Sequence, residues 1–166
     1  MLKILPKKEK CPACQEEGVY VANETLSHVV KRHLKEEVSH GDFHLCLNPD
    51  CATGYYSNQK GLVIHKDDFK RPLGFKTGAD PVIICYCANV KEHEIIEAVV
   101  ETGLAEMKEI IIHLRGRMEK VCKHTSPTGH CCTRTFKSVI AKGLEVRNTL
   151  AAYGHLEVDS KALAPS

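Results

Sequence analysis

The sequence contains no tryptophan, and aromatic residues are only 5% of its 166 residues, so large aromatic anchors cannot carry its cores. Long apolar runs are missing as well. The longest, at 82–84 and 110–112, fall far short of the ~20 residues that cross a bilayer, so membrane insertion is not expected. The opening Met1-Leu2-Lys3-Ile4-Leu5-Pro6 lacks the apolar stretch of a secretion signal, which predicts a cytoplasmic protein. Neither charge sign is in marked excess: 23 Lys and Arg stand against 21 Asp and Glu, a net +2. The densest basic group, Lys7-Lys8-Glu9-Lys10, is interrupted by an acid, so a nucleic-acid partner is not expected. No P-loop, Gly-rich dinucleotide turn or nucleophile–base pair is visible. The chain reads as a redox or metal-binding protein rather than a dedicated enzyme.

Cysteine, by contrast, is abundant. Nine in a chain of this length exceed what packing requires, and small half-domains commonly depend on a metal or disulfide staple. In a reducing compartment, clustered thiols read as metal ligands before disulfides. They form two groups: Cys11, Cys14, Cys46 and Cys51, then Cys85, Cys87, Cys122, Cys131 and Cys132. Between them, Arg71-Pro72-Leu73-Gly74-Phe75-Lys76-Thr77-Gly78-Ala79-Asp80-Pro81 has the Pro and Gly density of a linker.

These signals predict an α+β chain: a zinc-binding β-hairpin/helix subdomain over residues 1–78, then a helical 2Fe–2S subdomain over 79–158. Residues 159–166 show no pattern and read as a disordered tail. In the first half, Val19-Tyr20-Val21 suits a strand, and Leu26, Val29, Val30, His33 and Leu34 recur at helical spacing. Residues 43–46 and 54–56 flank Asn48-Pro49-Asp50 as a hairpin, and Leu62-Val63-Ile64 suits a further strand. In the second half, Asn89 with Glu92 three residues on resembles a capping box, and Gly103 a helix stop. Leu104, Met107, Ile111 and Leu114 continue at helical spacing. Phe136, Val139, Ile140 and Leu144 predict a third helix.

Cys11-Pro12-Ala13-Cys14 is a tight knuckle that aims two thiolates at one point. Cys46-Leu47-Asn48-Pro49-Asp50-Cys51 offers a second, looser pair, and together they can close a four-thiolate shell around Zn2+. His44 or Asp50, beside the second pair, could replace one thiolate. A redox C-x-x-C would open a helix after a strand, whereas this one precedes both. His28, His33 and His40 read as surface groups.

Ile84-Cys85-Tyr86-Cys87-Ala88-Asn89-Val90 places a C-x-C pair between a strand and a capped helix, whose starting amides can face sulfur. Cys122-Lys123-His124-Thr125-Ser126-Pro127-Thr128-Gly129-His130-Cys131-Cys132 supplies further thiols on a Pro/Gly loop. Two thiolates from each stretch are what a 2Fe–2S cluster requires. The residues alone leave open whether Cys131 or Cys132 completes the set.

The stretch from Cys85 to Ile95 resembles the opening of bacterioferritin-associated-ferredoxin-like 2Fe–2S domains. With the Cys11 and Cys46 motifs and the Ser126-Pro127-Thr128-Gly129-His130-Cys131-Cys132 run, the ordered set resembles the N-terminal region of CopZ-type copper chaperones, over about residues 10–145. The resemblance implies a cluster on Cys85, Cys87, Cys122 and Cys132, with Cys131 as the spare thiol. It also implies electron transfer linked to copper handling, reducing Cu(II) to Cu(I) for a copper carrier or a copper-transporting ATPase, with a redox donor upstream. The family's C-terminal Met-x-Cys-x-x-Cys copper loop has no counterpart, since no cysteine follows Cys132. Two other readings are a cluster-based redox or iron sensor and an electron-transfer subunit of an oxidoreductase.

Overall fold

A computed structural model describes residues 8–154. The expected tail at 159–166 and the first seven residues lie outside the described residues. No helix among the described residues is long and apolar enough to cross a membrane. The chain is mixed α and β and divides into two compact units. The first ends at Val82 and takes in Val121–His130; the second holds Ile83–Lys120 and resumes at Cys131.

The first unit is built on a four-stranded antiparallel sheet, β1 (Val19–Val21), β2 (Phe43–Leu45), β3 (Thr53–Ser57) and β4 (Leu62–His65), paired in chain order. Strand β3 is buried along its whole length, which suits its β-branched and aromatic residues. Helix α1 (Asn23–Val29) closes one side through Leu26 and Val29, against Phe43, Leu45, Tyr55 and Phe69. The helical pattern running on to Leu34 is broken at Val30, which bridges to Phe69 in extended conformation, and Leu34 falls in a separate 3₁₀ turn. Burial of Val30 in the core outweighs continuation of the helix.

The Pro- and Gly-rich segment 71–81 is not a solvated linker. Leu73 is part of the core and Lys76 is only 4% exposed. Segment 121–130 contains a single helical turn, α4 (Cys122–Thr125), absent from the sequence expectations. Glu24 on α1 binds it, accepting from Lys123 Nζ and His124 Nε2 at 2.8 Å each. Those two hydrogen bonds hold the Glu24 carboxyl down at about 2. His124 also stacks on His28 at 4.2 Å, and the Tyr55 hydroxyl donates to the Pro127 carbonyl.

The second unit opens with a small hairpin, β5 (Ile83–Cys85) and β6 (Val90–Lys91), followed by α2 (Glu92–Thr102), α3 (Met107–Arg115) and α5 (Thr133–Ala152). Asn89 is not the α2 cap. It holds a left-handed turn at φ 51°, and Lys91 takes the cap position, its N–H donating to Glu94 Oε2 at 2.9 Å. Helix α2 ends at Gly103 as expected, in left-handed conformation with its N–H on the Val99 carbonyl. Leu104 lies in the loop before α3 rather than on the helix. Ile95, Val99, Ile110, Ile111, Phe136 and Val139 are buried. Gly143 lets α5 approach α2 closely: a Cβ there would stand 2.9 Å from Val99 Cβ.

Candidate metal centres

The first knuckle is shaped by backbone bonds: Cys11 N–H donates to the Glu16 carbonyl, and Gln15 N–H returns to the Cys11 carbonyl. Gln15 takes φ 65° to close the turn. Gly18 then donates to the Tyr56 hydroxyl, which donates to the Glu9 carbonyl, so Tyr56 pins both ends of the knuckle. The second pair sits where β2 ends and β3 begins. Cys46 N–H donates to Gly54 and Cys51 N–H to the Asn48 carbonyl, folding the four intervening residues into a compact turn.

These turns bring all four sulfurs within 4.8 Å of one another. Cys11 and Cys51 stand 3.9 Å apart, and Cys14 and Cys46 3.6 Å. A tetrahedral zinc with bonds of ~2.3 Å sets sulfur–sulfur edges of about 3.8 Å, so the observed spacing fits it and lies far outside a disulfide bond. Cys11 and Cys46 are fully buried. Burial pushes the Cys46 thiol up to about 12. At Cys51 burial acts the same way, but the hydrogen bonds from Thr53 prevail and hold it at about 7. A metal cation supplies what the buried thiols lack, a positive charge that favours the thiolate.

His44 is buried beside the site, 2% exposed, between the rings of Tyr20 and Tyr56, and is not part of the four-sulfur group. Asp50 is exposed and accepts from the Thr77 hydroxyl. His28, His33 and His40 are exposed.

In the second unit, Cys85 ends β5 and Cys87 lies in the turn leading to β6. Cys85 is 3% exposed, yet its thiol is lowered to about 6. A hydrogen bond with Cys132 is the main cause; burial opposes it, and the backbone amides of Ala88 and Cys87 assist. The amides facing sulfur therefore belong to the hairpin turn and not to the start of α2, because β6 intervenes. Cys132 stands immediately before α5, while Cys131 is exposed with its sulfur 2.9 Å from Thr133 Oγ1. Cys122 begins α4 in the first unit.

Two supporting residues escaped the sequence reading. Arg115, at the end of α3, donates to the carbonyls of Ala88 and Asn89 at 3.0 and 2.8 Å. Lys76 Nζ donates to the Asn48 carbonyl at 2.8 Å. Neither belongs to a spacing pattern; only long-range folding brings it to a cysteine loop.

A family model described as a zinc-binding domain of CopZ type matches residues 8–70, the segment holding the four-sulfur site. The X-ray structure of the Archaeoglobus fulgidus CopZ N-terminal domain is 31% identical to this chain, with a TM-score of 0.64. The match covers 79% of this chain and 97% of that one. The chain belongs to the CopZ N-terminal-domain family. The copper chaperone CopZ of the same organism is 33% identical over 123 residues, which are 74% of this chain and 57% of that protein. This CopZ-type chain thus spans a little over half the length of the curated relative it matches. Its residues 8–70 form a zinc-binding domain, and the donor set and spacing of Cys11, Cys14, Cys46 and Cys51 fit that metal.

Proposed function

We propose that this chain is the zinc- and 2Fe–2S-binding part of a copper-handling system. Cys11, Cys14, Cys46 and Cys51 hold Zn2+; Cys85, Cys87, Cys122 and Cys132 hold the cluster. The observation that carries the cluster reading is the meeting of Cys85 with Cys132, whose side chains share a hydrogen bond although 47 positions separate them, beside the backbone amides of Cys87 and Ala88. A buried thiol ordinarily resists ionisation, whereas this one is drawn down to about 6 by Cys132 and by turn amides. Amide hydrogen bonds to sulfur suit a cluster, whose bridging and ligating sulfurs carry excess negative charge. Cys87, partly exposed, gives the site an open edge.

When bound, such a cluster would supply a one-electron reductant able to convert Cu(II) to Cu(I), the form that soft-thiolate carriers accept. The chain's own residues hold the anionic sulfurs: the 85–89 turn presents its amides, and Arg115 fixes that turn through two carbonyls. The relative named a copper chaperone supports copper as the cargo. The proposed partners are a copper carrier or a copper-transporting ATPase downstream and a redox donor upstream, in the cytoplasm.

Metal analysis and visible absorption of anaerobically purified chain test this reading. About one zinc and two irons per chain, with absorption that bleaches on reduction, are expected. Zinc-loaded but colourless, iron-free protein would remove the cluster and the electron-transfer role with it.

A further inference from the structure

The two zinc-binding pairs are not equally able to hold themselves. The Cys11 knuckle has two residues between its thiols and closes by its own backbone bonds, whereas the Cys46 pair has four. A longer turn has more conformations to lose, so its geometry needs support from elsewhere. That support comes from the segment following residue 70, beyond the reach of the zinc-binding family model. Three consecutive turn residues are gripped. The Asn48 carbonyl, which already accepts from Cys51 N–H, also accepts from Lys76 Nζ at 2.8 Å. The Pro49 carbonyl accepts from Thr77 N–H at 2.8 Å, and Asp50 Oδ1 from the Thr77 hydroxyl at 2.7 Å.

Lys76 is also electrically unusual. It is 4% exposed, and among the described residues no Asp or Glu forms an ion pair with it. Its partners are the Asn48 carbonyl and the face of the Phe75 ring, 5.4 Å from Nζ, and neither carries a formal negative charge, so burying the ammonium is costly unless an anion compensates it. A zinc ion with four thiolates carries a formal charge of about −2 and supplies that anion. We propose that residues 76 and 77 strap the Cys46–Cys51 turn onto the zinc site, Lys76 acting as a positioning residue whose charge offsets that of the zinc–thiolate centre. Zinc retention then depends on a segment that contributes no ligand. The inference rests on the zinc assignment of the four cysteines.

The full chain, zinc-loaded, is compared with Lys76→Met, Lys76→Arg and Thr77→Val. Zinc transfer to a colorimetric chelator is followed across pH. Lys76→Met is expected to weaken zinc binding about ten- to hundred-fold, the usual range for groups supporting metal ligands, and to move half-release to higher pH. Lys76→Arg, which keeps the charge, is expected to restore most of both. Wild-type retention in Lys76→Met, or equal loss in Lys76→Met and Lys76→Arg, overturns the charge role. Should Lys76→Met fail to fold, Thr77→Val decides. It removes only an exposed hydroxyl bond and should speed release several-fold; an unchanged rate overturns the strap. Wild-type chain that purifies without zinc would instead overturn the zinc assignment, and the strap with it.

Discussion

The Arg115 guanidinium grips Glu94 through Nη2, 2.9 and 2.7 Å from the two carboxylate oxygens, while Nε and Nη2 hold the carbonyls of Ala88 and Asn89. One side chain from the end of α3 thereby ties the start of α2 to the turn that carries Cys87. Burial alone would raise the Glu94 carboxyl, but Arg115 and the Lys91 N–H together hold it below the usual carboxylate range. A lowered carboxyl contributes stability that is complete above its unfolded-state value. That stability is lost as pH falls through the lower folded-state value. Arg115→Ala is therefore expected to cost about 1–2 kcal/mol at neutral pH, allowing for partial solvent screening. The gap from wild type should narrow at acid pH, below the usual carboxylate range. Urea midpoints at the two pH values check this; a gap independent of pH would assign the loss to packing of the arginine stem.

Zinc removal is expected to unfold the segment before about Gly78 and spare the half that carries the proposed cluster. The four thiols form a cluster of their own with Tyr56, which also bonds Gly18 and Glu9, so the metal anchors both knuckles and the edge of the sheet. For such a site binding energy is largely folding energy. Amide exchange before and after chelation would show protection lost from β1 to β4 and kept in α2 and α5. Full protection of β1 to β4 in the metal-free chain would contradict this.

Much of this was legible in the sequence for a physical reason. Thiol pairs close in sequence must form local turns, so Cys11-x-x-Cys14 and Cys46-x4-Cys51 announced their geometry. The strands around Asn48-Pro49-Asp50 followed from the turn chemistry of that tripeptide between two short strand-forming runs. Local rules failed where a distant partner decided the outcome. Asn89 has the side chain of a helix cap, yet the β5–β6 hairpin needs a left-handed residue there, which Asn tolerates. Residues 71–81 have the composition of a linker, but Leu73 reaches the core and Lys76 the zinc turn. The return of 121–130 to the first unit depends on Glu24 meeting Lys123 and His124 about a hundred positions away, which no local pattern encodes.

The four cysteines proposed for the cluster are distinguishable from the fifth by substitution. Serine at Cys85, Cys87, Cys122 or Cys132 is expected to bleach or shift the visible spectrum, because oxygen is a poorer ligand to iron in this setting. Cys131→Ser should leave it nearly intact, in keeping with an exposed sulfur beside Thr133 Oγ1. Loss of colour in Cys131→Ser with its retention in Cys132→Ser would reverse the choice between the neighbours.

The reduced chain is expected to reduce copper without retaining it. Eight of the nine thiols are assigned to zinc and cluster, leaving Cys131 outside both sets. Stable Cu(I) binding generally takes at least two soft ligands, and one exposed sulfur beside a hydroxyl offers a poor site. Electron transfer sets no such demand: it needs a suitable potential and close approach, and the partly exposed Cys87 allows approach to the proposed centre. Chain reduced with dithionite, freed of excess reductant and mixed with Cu(II) should form one Cu(I) per electron stored, read with a Cu(I)-specific indicator. Buffer exchange should then leave little copper on the protein. Formation of Cu(I) should fail in Cys85→Ser and survive in Cys131→Ser, which separates reduction at the cluster from reaction of a surface thiol. Stoichiometric, tightly held Cu(I) with zinc and iron both in place would contradict the prediction and place a copper site among these residues.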